Sequence, residues 1–156
     1  MLKPLEQWIC DTCGEVIESP EQGYVDWVCE PSEEDQTIHS FRIVHHANFS
    51  PRRPRGNCYR CADGANLQSS ALSEFIGVKF LVRLFDFLEG PYLIGDTAEF
   101  VDFARRLSIP CYEDASQYRG RAIDDGLCSD DSAFNQMMPD QLRQIVQRYE
   151  SVHIAS

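Results

Sequence analysis

The stretch Cys10–Gly14, with the pattern Cys-x-x-Cys-Gly, constrains the fold of this chain more than any other. Two thiolates at this spacing can face one metal ion across a tight turn, and Gly14 gives that turn backbone freedom. The pair supplies half of a tetrahedral site, so two further ligands must come from elsewhere in the chain. A second Cys-x-x-Cys pair stands at Cys58 and Cys61.

Two sets of ligands can complete the site. Spacing alone favours a site of four thiols, from Cys10, Cys13, Cys58 and Cys61. A mixed site would combine three thiols with one imidazole, from Cys10, Cys13, Cys58 and His45. Either set gives tetrahedral zinc with no open position, which is typical of an ion that stabilises a fold.

Composition indicates an acidic globular protein. Hydrophobic residues make up 43% of the 156 residues, and the net charge is −11. This balance argues against non-specific nucleic-acid binding, which depends on neutralising phosphates. Segment 41–61 is an exception, because it carries five arginines and no acidic residue. We interpret its Arg-rich part, 51–60, as an exposed loop, and weak nucleic-acid contact through this loop is the alternative.

The sequence favours a cytoplasmic protein that does not enter a membrane. No apolar run reaches the roughly 18 residues that a membrane-spanning helix needs. The segment Met1–Cys10 lacks the apolar core of a secretory signal. In a reducing compartment, paired Cys-x-x-Cys motifs favour a metal over disulfides.

Alternating side chains predict strands in the first part of the chain. Gly23–Glu30 and Phe41–His46 both show the period of two that a strand requires. In the second strand, His45 and His46 point to opposite faces. The polar segment 31–40 between them is predicted to be a loop.

Helical periodicity dominates the second part. Helices are predicted to begin at Ser69 or Ser70, at Asp96, at Pro110 and at Pro139. Gly77 is expected to interrupt the first of them. The fold class is therefore predicted to be α+β, with a zinc-ribbon-like β module at 1–66 and a bundle of four or five helices at 67–156.

Two further groups in the helical part are interpreted as structural. The adjacent acids Glu113–Asp114 and Asp124–Asp125 are expected on solvated faces, because neighbours in a helix point about 100° apart and form no carboxylate dyad. Aromatic residues are expected mainly in the core, although some could form a binding patch. They are Phe80, Phe85, Phe87, Phe100 and Phe103.

Several stretches resemble a group of small uncharacterised bacterial proteins that join a zinc-ribbon-like N-terminus to a helical remainder. The stretches are WICDTCGEVI, GYVDW, FRIVHH, NCY, FLEGPYL and EFVDFARRLSIPCYEDA. The resemblance implies one metal ion held by Cys10, Cys13, His45 and Cys58. It leaves Cys61 as a spare thiol or as a replacement for His45, and it implies no enzymatic activity.

The stretch VHHANFSPRRPRGNCYRC also has features of an HNH nuclease. Under that hypothesis the four paired cysteines hold a structural zinc ion, and His46 is the base that activates water. HNH proteins usually carry His or Asn just after the second cysteine pair, but Ala62, Asp63 and Gly64 stand there. We therefore favour a non-enzymatic adaptor or regulatory protein with a protein partner, and the nuclease is the alternative.

Overall fold

The computed structural model describes residues 1–31, 35–52, 57–59 and 66–153, without the side chains of Val152 and His153. Within these ranges the chain contains two small sheets and six α-helices. This mixture confirms the predicted α+β class. No helix in the described ranges combines the length and the apolar character needed to cross a bilayer.

The strands form a short hairpin and a four-stranded sheet. They are β1 (Trp8–Ile9), β2 (Val16–Ile17), β3 (Gly23–Pro31), β4 (Gln36–His45), β5 (Leu67–Ala71) and β6 (Tyr92–Ile94). β1 and β2 pair as the antiparallel hairpin. The larger sheet has the order β5-β3-β4-β6, in which β3 is antiparallel to both neighbours and β6 runs parallel to β4.

The helices follow the first three strands of the larger sheet. They are α1 (Val78–Glu89), α2 (Thr97–Ser108), α3 (Tyr112–Ser116), α4 (Arg119–Asp124), α5 (Asp131–Asn135) and α6 (Pro139–His153). α2 starts as predicted, because the Asp96 carboxylate accepts a hydrogen bond from the N–H of Glu99 at 3.0 Å. α6 begins at Pro139, also as predicted.

β4 is longer than its sequence indicates. It begins at Gln36, within the segment that was predicted to be a polar loop. Ile38 is fully buried in this part of the strand. Pairing with the end of β3 satisfies the backbone here, since Glu30 lies opposite Thr37 and Pro31 opposite Gln36. Tertiary pairing therefore outweighs the polar composition of the segment.

The helix predicted from Ser69 or Ser70 begins only at Val78. The serines belong to β5, which pairs with β3 at one edge of the sheet. Gly77 has φ of 60° and directly precedes α1. Glycine is favoured there because L side chains rarely adopt this left-handed conformation. The interruption expected at Gly77 is thus the start of the helix.

The helix predicted from Pro110 is divided into α3 and α4. α3 starts after Cys111, whose φ of 67° lies in the left-handed region and excludes a continuous helix from Pro110. The apolar residues of this segment therefore lie on two short helices instead of one. Their buried members include Ala115 and Ala122.

Two hydrophobic clusters fill the interior. The first joins the hairpin and the larger sheet to α1 and α2, and the second lies among α3, α4, α5 and α6. The boundary predicted at residue 66 does not separate these clusters, because α1 and α2 follow it yet pack on the sheet. A sheet with an apolar face needs such a covering layer.

Most of the aromatic residues that were expected in the core lie in the first cluster. Phe41 of β4 lies at its centre, with ring centroids 5.0 Å from Phe103 and 5.2 Å from Phe100. Phe80 and Phe87 of α1 are also buried. Phe85 differs, because 54% of it is exposed to solvent.

A buried ion pair connects the two central strands. Asp26 of β3 lies opposite Arg42 of β4. The guanidinium donates two hydrogen bonds to the carboxylate, at 3.0 and 2.8 Å. Asp26 is fully buried and the Arg42 side chain is 19% exposed. Breaking such a pair is costly, because one charge is left without compensation.

Replacing Asp26 with alanine should therefore lower the free energy of unfolding by about 3 kcal/mol, measured by urea denaturation in excess zinc. The matched control is Glu74→Ala, which breaks the exposed Lys79–Glu74 pair, also 3.0 Å long. That change should cost less than about 0.5 kcal/mol. Equal, small losses in both variants would show that burial adds nothing to the Asp26–Arg42 pair.

Candidate metal centre

Four side chains from distant parts of the sequence meet beside the hairpin. They are Cys10, Cys13, His45 and Cys58, and their ligand atoms all lie within 4.8 Å of one another. Cys13 is half-buried and the other three are buried. No other group of three or more potential ligands is brought together among the residues for which coordinates are described.

Local sequence explains the turn that presents Cys10 and Cys13. The N–H of Gly14 donates to the carbonyl oxygen of Cys10, and the N–H of Cys10 donates to that of Glu15, both at 2.9 Å. Gly14 has φ of 77°, the left-handed conformation that favours glycine. The Cys-x-x-Cys-Gly pattern therefore forms the tight turn between β1 and β2 for which it is suited.

His45 is the last residue of β4 and is 4% exposed. Its Nδ1 lies 3.5 Å from the sulfur of Cys13, and its Nε2 lies 3.2 Å from the carbonyl oxygen of Val16. With the proton on Nε2, the ring donates to Val16 and directs the lone pair of Nδ1 toward the thiols. Histidines that bind metals are commonly oriented by such a backbone contact.

Cys58 is held by contacts at both its side chain and its backbone. Its sulfur lies 3.1 Å from the hydroxyl of Ser50. Its carbonyl oxygen accepts a hydrogen bond from the hydroxyl of Thr12 at 2.5 Å, and Thr12 accepts one from Arg42 at 3.2 Å. The buried Asp26–Arg42 pair is thereby connected to a candidate ligand and to the turn that carries two others.

The donor set fits a tetrahedral metal site. With bonds of about 2.3 Å to sulfur and about 2.0 Å to nitrogen, ligand atoms of such a site lie about 3.5 to 3.8 Å apart. The distance of 3.5 Å from Cys13 to His45 is already in this range. The remaining distances, up to 4.8 Å, need a contraction of about 1 Å at most. The cluster could therefore hold one metal ion.

The pKa of the Cys13 thiol lies above its ordinary value. Burial is the largest cause that raises the pKa of the Cys13 thiol, from 9.0 to about 12, and neighbouring Cys10 and Cys58 add to it. A hydrogen bond from the backbone of Glu15 acts in the opposite direction. Because only thiolates bind a metal ion, a cation entering this cluster must displace protons.

The four residues that meet are those that the resemblance names. Cys61, the alternative fourth ligand, lies outside the described residues. Cys29, Cys111 and Cys128 do not take part in the cluster. Cys29 instead donates from its sulfur to the side chain of Gln36 at 3.0 Å.

His46 directly follows the last residue of β4 and takes no part in the cluster. Its Nδ1 accepts a hydrogen bond from the N–H of Asn48 at 3.1 Å, and its ring lies 4.6 Å from that of Tyr24. Arg52 is exposed. Three further arginines of the basic segment and the positions after the second cysteine pair lie outside the described residues: Arg53, Arg55, Arg60 and 62–64. The nuclease and nucleic-acid hypotheses therefore stay predictions.

A largely buried arginine connects the cysteine turn to the helices. The spacing of residues in the sequence does not predict this contact. Arg106 of α2 donates to both carboxylate oxygens of Glu113, at 2.6 and 3.0 Å, and to Asp11 at 2.9 Å. Asp11 stands between the two cysteines and also accepts a hydrogen bond from the N–H of Ile43 at 2.6 Å. Burial lowers the pKa of Arg106, but Glu113 and Asp11 raise it more, so this group stays charged.

The expectation that Glu113 and Asp114 are solvated is wrong. They are only 8% and 6% exposed. Glu113 accepts a hydrogen bond from the N–H of Ile9 at 2.8 Å in addition to those from Arg106. Asp114 accepts one from the N–H of Leu2 at 2.8 Å. Both carboxylates are buried because α3 packs against the N-terminal segment. The backbone N–H groups of that segment donate hydrogen bonds that compensate the buried charges.

No protein-family model matches the chain, and no curated protein or solved structure shows significant similarity to it. The resemblance to small bacterial proteins stays a prediction.

Replacing His45 with alanine removes one of the four candidate ligands, so zinc affinity should fall by more than about 100-fold. A loss of about 100-fold is the upper range for mutating a residue that only hydrogen-bonds to a metal ligand. Competition with a chromophoric chelator measures this affinity. Cys61→Ser is the matched control, and it should keep about one zinc ion per chain. If Cys61→Ser emptied the site while His45→Ala bound zinc normally, the four-cysteine site would be the correct one.

Proposed function

We propose that Cys10, Cys13, His45 and Cys58 hold one structural zinc ion in a zinc-ribbon-like module. We further propose that the protein is a non-enzymatic adaptor or regulatory protein that binds a protein partner. The observation that carries the metal proposal is the closed, buried set of three thiols and one imidazole.

The chemistry of the donors favours zinc. Cys₃His sets are among the common structural zinc sites, and soft thiolates discriminate against calcium and magnesium. The described cysteines are all free thiols. Thiols that are not paired in disulfides suit a reducing compartment, which supports the proposal of a cytoplasmic location.

The ligand count favours a structural role over a catalytic one. Catalytic zinc sites usually have three protein ligands and keep one position for water or substrate. Here four protein side chains complete a tetrahedral ion. Cys10 and Cys58 are each only 1% exposed, so the ion would be shielded from substrates.

The ion would stabilise a part of the chain with little regular structure. The hairpin has only two residues in each strand, which is too short for independent stability. The candidate ligands come from the hairpin turn, from the end of β4 and from the segment around Cys58. A metal ion that joins them closes two long loops and turns its binding energy into folding energy.

The interaction proposal is supported by the surface of α1. Five apolar residues of this helix are exposed; we call them the outer face of α1: Val78, Leu81, Val82, Phe85 and Leu88. The opposite side of the helix packs on the sheet through Phe80 and Phe87. A contiguous exposed apolar patch often marks a binding surface.

Zinc removal should unfold the N-terminal module selectively. Structural zinc contributes on the order of 10 kcal/mol in small modules. We expect amides of the hairpin and of the His45 end of β4 to lose hydrogen-exchange protection in chelator, while α3 to α6 keep theirs. Mass spectrometry of exchange with and without chelator measures the effect. The control is Cys13→Ser, in which chelator should change little; unchanged protection in the native chain would refute a structural ion.

The chain should not cleave DNA or RNA in Mg²⁺, Mn²⁺ or Ni²⁺, because His45 serves the zinc site and His46 stands outside the cluster, where its Nδ1 accepts from the N–H of Asn48. Gel assays with single- and double-stranded substrates test this. His46→Ala is the diagnostic variant. Metal-dependent cleavage that disappears in His46→Ala, with zinc content unchanged, would favour the nuclease over the adaptor.

A further inference from the structure

The outer face of α1 is a continuous stripe. Its members recur at intervals of three and four residues, so they share one side of the helix. Their exposed fractions run from 48% at Leu81 to 77% at Val78. Over the ranges with described coordinates, no other part of the chain covers them. Surfaces of this kind are rare on proteins that remain alone in solution.

We propose that a second copy of this chain covers the outer face, and that the two α1 helices pack antiparallel about a two-fold axis near Val82 and Arg83. This inference rests on the proposed interaction function and names its partner. Two-fold dimers are the commonest protein assemblies, and each brings the same patch of both copies together.

The charges beside the stripe fit this arrangement. Lys79 and Asp86 are two helical turns apart, so they lie on the same flank of the outer face. The midpoint between them falls at Val82 and Arg83, which is also the middle of the stripe. In an antiparallel pair centred there, each Lys79 lies opposite the partner subunit's Asp86. In a parallel pair the two-fold axis would run along the helices and place the two charged flanks on opposite sides of the contact, so Lys79 and Asp86 would gain no partner there.

The ion pairs that Lys79 and Asp86 form within the chain do not compete strongly with ion pairs to a second copy. Lys79 lies 3.0 Å from Glu74, and Asp86 lies 3.8 Å from Arg83, but all four side chains are at least 40% exposed. Exposed ion pairs are weak and exchange partners readily.

The charge of the whole chain does not prevent association either. α1 carries two bases and two acids, which are Lys79, Arg83, Asp86 and Glu89, so the contact region itself is neutral. The net charge of −11 resides largely outside it. Beyond about 8 Å such charges are screened at physiological salt.

Sedimentation equilibrium on the full zinc-loaded chain tests the proposal. We expect a dimer, and Phe85→Glu should raise its dissociation constant by about 30-fold or more, as for a central interface residue. The matched control is Met138→Glu, because Met138 is also an exposed apolar residue, at 66%, outside the outer face. This control should remain a dimer, and both variants should keep the zinc content and the far-UV circular dichroism spectrum of the native chain.

Charge reversal tests the antiparallel register. Lys79→Glu and Asp86→Lys should each weaken the dimer, whereas the double variant should restore it, because the pairs reform with exchanged signs. A double variant no better than the singles would overturn the proposed arrangement. So would a dimer that Phe85→Glu leaves intact.

A chain that stays monomeric at all concentrations would mean that something else covers the outer face, and would also overturn the inference. Zinc content is measured on the same samples. A zinc-loaded monomer would refute the dimer and leave the metal proposal intact. A dimer without zinc would support the proposed dimer and refute the proposed zinc site.

Discussion

The guanidinium of Arg106 is the point at which the N-terminal hairpin, α2 and α3 are joined. It contacts Asp11 inside the cysteine turn and Glu113 at the start of α3. The indole of Trp8 also donates a hydrogen bond to the backbone oxygen of Arg106 at 3.2 Å. The hairpin is too short to orient two cysteines by itself. The position of Cys10 and Cys13 against the sheet therefore depends on a buried, fully compensated charge from the helical part.

A second network approaches the same turn from the sheet. Asp26 fixes Arg42, Arg42 donates to Thr12, and Thr12 donates to the backbone of Cys58. The two candidate ligands of the turn are thus held between two arginines, one from α2 and one from β4. Bidentate arginine pairs supply defined geometry as well as energy. Such support orients the candidate ligands in the folded chain.

The sequence predicted those features of the fold that depend on a few neighbouring residues, and it failed for those that depend on distant elements. The turn at Gly14, the strand predicted at Phe41–His46 and the cap at Asp96 are each specified within a few residues, and the structure contains all three, although the strand runs from Gln36 to His45. β5 was mistaken for a helix start because a strand at a sheet edge is defined by its partner. Glu113 was placed in solvent because its partners, Arg106 and Ile9, are identified only by packing of distant elements.

The order of the ligands along the chain bears on how the protein is made. Cys10, Cys13, His45 and Cys58 are all synthesised before β5, β6 and the helices. A nascent chain therefore carries all four candidate ligands while the outer strands of its sheet and Arg106 are still missing. Since chains begin to fold from the N-terminus during synthesis, an ion could be captured by β3, β4 and the turn on the ribosome. The C-terminal residues would then assemble onto a module that is already closed.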